Sequence, residues 1–342
     1  MEKISTSGCK VCVTGGAGYV GSWLVKKLLD KGYTVHATLR NLDDLTKVSL
    51  LKSFPGSETR LVLFKADMFR PEEFENAIRG CQFVFHVATP FEKTPGSQYK
   101  STSDAAVASV NSIAIACKRS GTVKRLVFTA SVFASSPLKD DGSGFKDFVD
   151  ETCWSPSNLS IPYGSDFLKA YQDSKIQAEK EMLRFGKENE DELEVVSLTC
   201  GLVGGDTLLS YTPGSVAVTI SQLTNNAAHY SSITYLEELM GKVPLIHIDD
   251  VCEAHIFCME NPSVQGRILC ASSFVASAEI ASYFQQNYPQ FHVKQEYLDG
   301  PKRQIKWASS KLTEKGFVYK YDMKTVLDDC VSCAKRMGDL QE

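Results

Sequence analysis

The 342-residue sequence predicts an α/β protein, a doubly wound parallel sheet with a smaller C-terminal lobe interleaved with it. Three observations lead there. Short β-rich runs alternate with helix-like stretches through the first 200 residues, a glycine-rich turn joins the first run to the first helix, and the alternation weakens after about residue 205. Strands separated by helices of ten or more residues pair in parallel through right-handed crossovers.

The elements follow in order. "KVCVTG" reads as the first strand, "SWLVKKLLDKG" as a helix and "YTVHATLR" as the second strand, followed by a polar helical stretch and the strand "RLVLFKAD". "PEEFENAIRG" is helical, "QFVFHVAT" a strand, "AAVASVNSIAIACKRSG" a helix and "RLVFTAS" a strand. The helix "AYQDSKIQAEKEMLRFGKE" leads into one strand over 194–204, "EVVSLTCGLVG". Beyond it come an amphipathic stretch near 235–241 and helical segments at 250–260 and 276–287, with no internal repeat. The expected division is residues 1–200 as a nucleotide-binding domain and 201–342 as mainly a substrate lobe.

"VTGGAGYVG" sets Gly15, Gly18 and Gly21 between the first strand and its helix, with Tyr19 and Val20 at the helix start. In that context Gly15 permits a tight turn, Gly18 lets backbone N–H groups approach a pyrophosphate, and Gly21 allows close packing, so the sheet is of Rossmann type. A site for NAD usually ends its second strand with an acidic residue about 20 residues past the glycines. Here the strand ends in Arg40, whose charge favours a 2′-phosphate, and therefore NADPH. Lys47 is either a second positive group or a surface lysine paired off by Asp43 or Asp44.

Ser131 closes "FTAS", and Tyr171 and Lys175 lie one helical turn apart in "YQDSK", 40 residues beyond the serine. An ammonium near a phenol lowers its pKa, so the tyrosine can give a proton to a carbonyl oxygen as hydride arrives, while a serine hydroxyl holds the same oxygen. Glycine loop, serine and Tyr-x-x-x-Lys together resemble the extended short-chain dehydrogenase/reductase family. The segments "GSWLVKKLLDKGYTVHATLR", "FHVATP", "KRLVFTAS", "DETCWS", "HIDDVCEAHIF", "GRILCAS" and "SSKLTEKGFVYKYDMKTVLDD" are similar, in order, to the plant dihydroflavonol 4-reductase, anthocyanidin reductase and vestitone reductase group. The likeness spans nearly the whole chain.

That resemblance implies Ser131, Tyr171 and Lys175 as the catalytic set, with Tyr171 and Lys175 also at the cofactor, where Lys175 orients the nicotinamide ribose, and with Tyr19 and Val20 joining the glycines in holding it. It assigns Arg40 and Lys47 to the 2′-phosphate, Asp67 and Met68 to the adenine side, Val87, Ala88 and Thr89 to the middle of the cofactor, and Thr199 to the nicotinamide. Two departures weaken a dihydroflavonol reductase assignment. Thr199 stands where the group usually carries Pro, and Ser136 where an Asn usually contacts the substrate. "FLKAYQDSK" also lacks the fuller signature of cinnamoyl-CoA reductases. Phe91, Phe133, Tyr163, Phe167, Tyr211 and Tyr230 lie in loops expected to face the nicotinamide, where flat rings suit a polyphenol, although some must be core.

Composition excludes other classes. A net charge of −4 offers no footprint for nucleic acid. No stretch approaches the roughly 18 apolar residues of a membrane span, so the expectation is a cytoplasmic protein, with a monomer sufficient. The eleven cysteines read as reduced thiols, including the Cys9/Cys12 and Cys330/Cys333 pairs, which lack zinc-type partners. His247 and His255 are eight apart, not the four that suits two metal ligands on adjacent helical turns, so no metal is expected. The expected activity is NADPH-dependent reduction of a bulky aromatic plant metabolite. The rivals are a nucleotide-sugar epimerase or dehydratase, disfavoured by Arg40, and a non-catalytic NADPH-binding regulator, disfavoured by the intact Ser131, Tyr171 and Lys175.

Overall fold

The computed structural model describes residues 8–90, 98–157 and 159–341. Its strands are β1 (Lys10–Thr14), β2 (Thr34–Leu39), β3 (Leu61–Lys65), β4 (Phe83–His86), β5 (Arg125–Ser131), β6 (Phe148–Val149), β7 (Glu194–Cys200), β8 (Leu202–Gly204), β9 (Val243–His247), β10 (Gly266–Cys270), β11 (Ser273–Val275) and β12 (Lys306–Trp307). Seven form one sheet in the order β3-β2-β1-β4-β5-β7-β10. The pairs β1–β2, β2–β3, β1–β4 and β4–β5 are parallel. The order reverses between β1 and β4, the topological switch point at whose carboxyl ends such sheets bind ligands.

Burial explains the strands: every residue of β4 and all of β1 after Lys10 is buried, as a sheet covered on both faces requires. The helix Tyr19–Asp30 buries Gly21, Ser22, Leu24, Val25, Leu28 and Leu29, one stripe at helical spacing. The helix Thr102–Ser120 starts in a capping box made by Ser101 and Asp104 and stops at Gly121 with φ +63°. The helix Asp166–Glu188 carries the Tyr-x-x-x-Lys stretch.

The chain divides into two compact units, residues 1–130, 173–198 and 252–268 in the first and 131–172, 199–251 and 269–342 in the second. The first packs β1, β4 and β5 on a core that includes Val84, Ile113, Leu126 and Met182. The second holds a sheet ordered β11-β9-β8, the parallel pair β12–β6, and a cluster of Leu138, Ile161, Leu168, Tyr235 and Leu239.

The strand expected over 194–204 is two strands. β7 ends at Cys200 and β8 begins at Leu202 in another sheet, because Gly201 donates its N–H to the Cys270 carbonyl and passes so close to β9 that an added Cβ would lie 2.7 Å from the Pro244 oxygen. The stretch expected near 235–241 is the end of a longer helix, Ala227–Met240, which the Asn226 side chain caps and Gly241 terminates at φ +83°. Among the described residues no helix is long and apolar enough to cross a membrane.

Candidate active site

The first unit supplies the glycine turn. Gly15 adopts φ +67°, and a Cβ there would lie 3.1 Å from the Ala88 backbone, so the turn after β1 runs against the segment that follows β4. The Gly15 N–H donates to Thr38 Oγ1 at 3.1 Å and the Gly16 N–H to the Thr38 carbonyl at 2.9 Å, pinning the turn to β2. A Cβ on Gly21 would sit 2.1 Å from the Gly15 oxygen, so the third glycine packs the helix onto the turn itself rather than onto the sheet. Gly16, which the three-glycine spacing passes over, packs on the sheet: its Cβ would lie 2.8 Å from that of Ala37.

Gly18 differs, since a Cβ would meet only the Gly15 oxygen at an ordinary 3.4 Å. Packing within the protein does not require glycine there, whereas a ligand lying over the turn would. Gly18 is also the N-cap of the helix Tyr19–Asp30, which has no side-chain cap and no acidic residue in its first turn. That positive helix end suits an anion, so these residues fit the pyrophosphate of a dinucleotide.

Thr14 and His86, which the sequence reading missed, brace this turn. The N–H groups of Val87 and Ala88 both donate to Thr14 Oγ1 at 3.0 Å, and the same oxygen lies 3.0 Å from His86 Nδ1. Burial and the Lys175 charge push His86 down to about 3, so its imidazole is neutral. With two N–H groups already on the hydroxyl oxygen, its one hydrogen goes to Nδ1, which puts the ring proton on Nε2. Nε2 is buried and has no partner among the described residues.

Arg40 is exposed immediately past the end of β2. Lys47 pairs with Asp44 at 2.9 Å, and Asp44 also caps the helix Leu45–Lys52. Asp67 accepts from the Phe69 N–H at 3.0 Å, while Met68 packs in the core with Phe74, Ile78 and Val110. Lys175 is 5% exposed; its ammonium donates to Thr89 Oγ1 at 2.8 Å and to the Thr129 carbonyl at 3.4 Å. Thr129 Oγ1 is in turn 2.7 Å from Nε2 of the buried His255.

The second unit holds the phenol. Tyr171 shares a hydrogen bond with Ser131, and burial pushes its hydroxyl up to about 12, with Cys200 adding to the rise and the Ser131 bond opposing it. The expected lowering of the phenol by lysine is therefore not what this structure gives. Burial sets the direction, and the group is protonated at neutral pH. The Phe133 ring meets Tyr171 edge-on at 5.2 Å and also stacks on Tyr235 at 5.9 Å, while Phe167 lies parallel to Tyr171 at 6.4 Å. The Tyr235 hydroxyl donates to Gln172, whose amide donates to the Pro156 carbonyl at 3.3 Å.

Of the remaining aromatics, Tyr163, Phe167 and Tyr211 are more than half exposed, and Tyr163 adopts φ +62°, a strained conformation for a non-glycine residue. Phe167 and Tyr230 lie on the helices Asp166–Glu188 and Ala227–Met240 rather than in the expected loops, and Tyr230 packs against Tyr297 at 4.2 Å. Phe91 lies outside the described residues. Thr199 is buried at the end of β7. Ser136, expected near the substrate, is fully buried: its hydroxyl donates to the Leu239 carbonyl and accepts from the Leu138 N–H, which ties it to the backbone.

Cys9, Cys12, Cys330 and Cys333 are buried thiols. His247 lies 3.1 Å from Asp329 and stacks on Tyr321 at 3.9 Å, a brace within the second unit. Hydrophobic patterning could not single out Thr14, Thr38, His86, Thr129 or His255. Each sits in or beside a buried strand or helix, and only the partner across the fold shows its use.

The family model described as NAD dependent epimerase/dehydratase family matches residues 11–270. An anthocyanidin reductase ((2S)-flavan-3-ol-forming) of Vitis vinifera is 35% identical over 331 residues, 96% of each chain. A dihydroflavonol 4-reductase of Callistephus chinensis is 34% identical over 333 residues, covering 96% of this chain and 87% of that one. Among solved structures, vestitone reductase from alfalfa (Medicago sativa) superimposes with a TM-score of 0.78 at 32% identity, over 97% of this chain and 99% of that one.

Proposed function

The chain belongs to the NAD-dependent epimerase/dehydratase family as an oxidoreductase of the extended short-chain type, close to the plant flavonoid reductases, and from that premise we propose that it is an NADPH-dependent reductase of a flat aromatic ketone or anthocyanidin. The observation that carries this reading is the Ser131–Tyr171 hydrogen bond, with Lys175 one turn further along the same helix. A bound NADPH supplies the hydride.

The residues divide the remaining work. Ser131 and Tyr171 present two hydroxyls to one carbonyl oxygen, and Tyr171, protonated at neutral pH, passes its proton to that oxygen. The phenolate left behind is stabilised by the Lys175 ammonium and the Ser131 hydroxyl, and it regains a proton from solvent. Phe133 and Phe167 flank Tyr171 with flat apolar surface, which suits an aromatic ring system better than a sugar. Arg40, exposed at the end of β2, supports a 2′-phosphate, and hence NADPH over NADH. The first unit thereby becomes the cofactor module and the second the main source of substrate contacts. We place the enzyme in the cytoplasm, where its eleven thiols stay reduced.

The test is a substrate panel of dihydroquercetin, cyanidin and vestitone followed by loss of NADPH absorbance. Turnover of at least one supports the proposal. No NADPH loss with any of them, together with interconversion of a nucleotide sugar without net cofactor use, would replace it with the epimerase reading.

A further inference from the structure

A lysine ammonium on a four-carbon stem is a mobile point charge, and it acts on a neighbouring phenol only while something holds it there. Lys175 lies one helical turn beyond Tyr171, and its ammonium donates to Thr89 Oγ1 at 2.8 Å and to the Thr129 carbonyl at 3.4 Å. The shorter contact is to the side chain. An ammonium has donors only, so the threonine oxygen must be the acceptor.

The place of Thr89 is itself fixed. It ends the segment that follows β4, whose Val87 and Ala88 N–H groups are clamped on Thr14 Oγ1 and whose Ala88 packs against the Gly15 turn. The strand end that abuts the glycine turn thus also places a hydroxyl against the lysine. The titratable groups around this arrangement are His86 on β4, His255 behind Thr129, and Tyr171 with Cys200 on the phenol side.

We propose that Thr89 is a positioning residue for the reaction, its side-chain oxygen anchoring the Lys175 ammonium so that the charge stays fixed for Tyr171. This rests on the reading of Lys175 as the group that stabilises the phenolate. It is distinct from a contact between Thr89 and the cofactor, because it acts through the lysine and should show in the ionisation of the tyrosine.

The experiment compares Thr89→Val, Thr89→Ala and Thr89→Ser with wild type and Lys175→Met. Its readouts are kcat, KM for NADPH and the alkaline limb of the kcat–pH profile, with dihydroquercetin as the probe carbonyl, after thermal unfolding has confirmed that each variant is folded. Thr89→Val removes the acceptor while keeping the shape. It should lower kcat by about tenfold, a part of the roughly 10²–10⁴-fold that proton transfer contributes, and move the alkaline limb to higher pH in the direction of Lys175→Met. Thr89→Ser, which keeps the oxygen, should restore both, and Thr89→Ala should behave as Thr89→Val if the valine variant does not fold. A Thr89→Val or Thr89→Ala enzyme with a raised KM for NADPH but unmoved kcat and alkaline limb, alongside a shifted Lys175→Met, would overturn the proposal and leave Thr89 a cofactor contact. An unmoved limb in Lys175→Met as well would overturn the reading of the lysine, and the proposal with it.

Discussion

Around Gly15 in the first unit the working surface is backbone. The turn is held by N–H groups bonded to Thr38, by a clamp on Thr14, and by Gly15, Gly16 and Gly21, where an added side chain would press on its neighbours. Around Tyr171 in the second unit it is side chain: Phe133 meets the ring edge-on and the half-exposed Phe167 lies parallel to it. The first arrangement leaves Gly15, Gly16 and Gly21 little room for substitution, whereas in the second the exposed Phe167 can change without disturbing a core, although Phe133 cannot, since it packs on the buried Tyr235. On the proposed reading, a region that fits a common cofactor is built from backbone constraints, and one that chooses a substrate carries more side-chain surface.

The largest expected effect separates chemistry from binding. Tyr171→Phe keeps the ring between Phe133 and Phe167 and removes only the hydroxyl, so turnover should fall by about 10²–10⁴-fold while NADPH affinity, measured by fluorescence quenching, stays near wild type. Wild-type turnover in this variant would show that the proton comes from water, and would reduce the second unit to a surface that only orients the substrate.

Arg40→Asp tests the other side of the comparison. It replaces a charge-assisted contact to the 2′-phosphate by repulsion, which should weaken NADPH by roughly ten- to several-hundred-fold and leave NADH and kcat nearly unchanged. Lys47 is already neutralised by Asp44 at 2.9 Å, so Arg40 should carry the larger part of the selectivity. Equal losses for both nucleotides would remove the 2′-phosphate assignment.

The difference between the units also governs what the sequence made legible. The parallel sheet, the glycine turn and Tyr-x-x-x-Lys could be read because each depends on local sequence: short apolar runs for buried strands, a spacing of three to four for a helix face, three for the turn. Ser136 could not be placed, because its hydroxyl is used by Leu239, about a hundred residues further along the chain. Nor could the break at Gly201, which follows from the approach of Pro244. The rise at Tyr171 was hidden for the same reason, since the sequence shows a lysine one turn away but not the burial that raises the phenol.

Within the first unit, two glycines of one motif should fail differently. Gly21→Ala drives a Cβ to 2.1 Å from the Gly15 oxygen and should cost about 1–3 kcal/mol of stability in urea unfolding, with NADPH affinity lost as the turn shifts. Gly18→Ala has 3.4 Å of clearance and should leave stability nearly unchanged while still weakening NADPH. If Gly18→Ala bound NADPH normally, the pyrophosphate would not lie over that residue.

The smallest effect concerns the burial that makes the first unit rigid. His86 is held neutral, its pKa pushed down to about 3, below the roughly 6.5 of an unfolded histidine. As pH falls below about 6.5 the unfolded chain takes up a proton that the native protein keeps out until about 3, so acid favours unfolding throughout that window. The contribution is at most about 1.4 kcal/mol of stability per pH unit, absent above the window and growing as pH falls through it. His86→Asn retains an acceptor for the Thr14 hydroxyl but has no proton to gain. Urea unfolding at pH 7, 6 and 5 should therefore show a shallower acid loss than wild type, by up to one proton's worth of slope, with His36 and His247 contributing equally to both proteins. Parallel slopes would mean that His86 accepts a proton in the native state. In that case the strand end that carries Thr89 to Lys175 would be wetter than its buried, partnerless Nε2 implies.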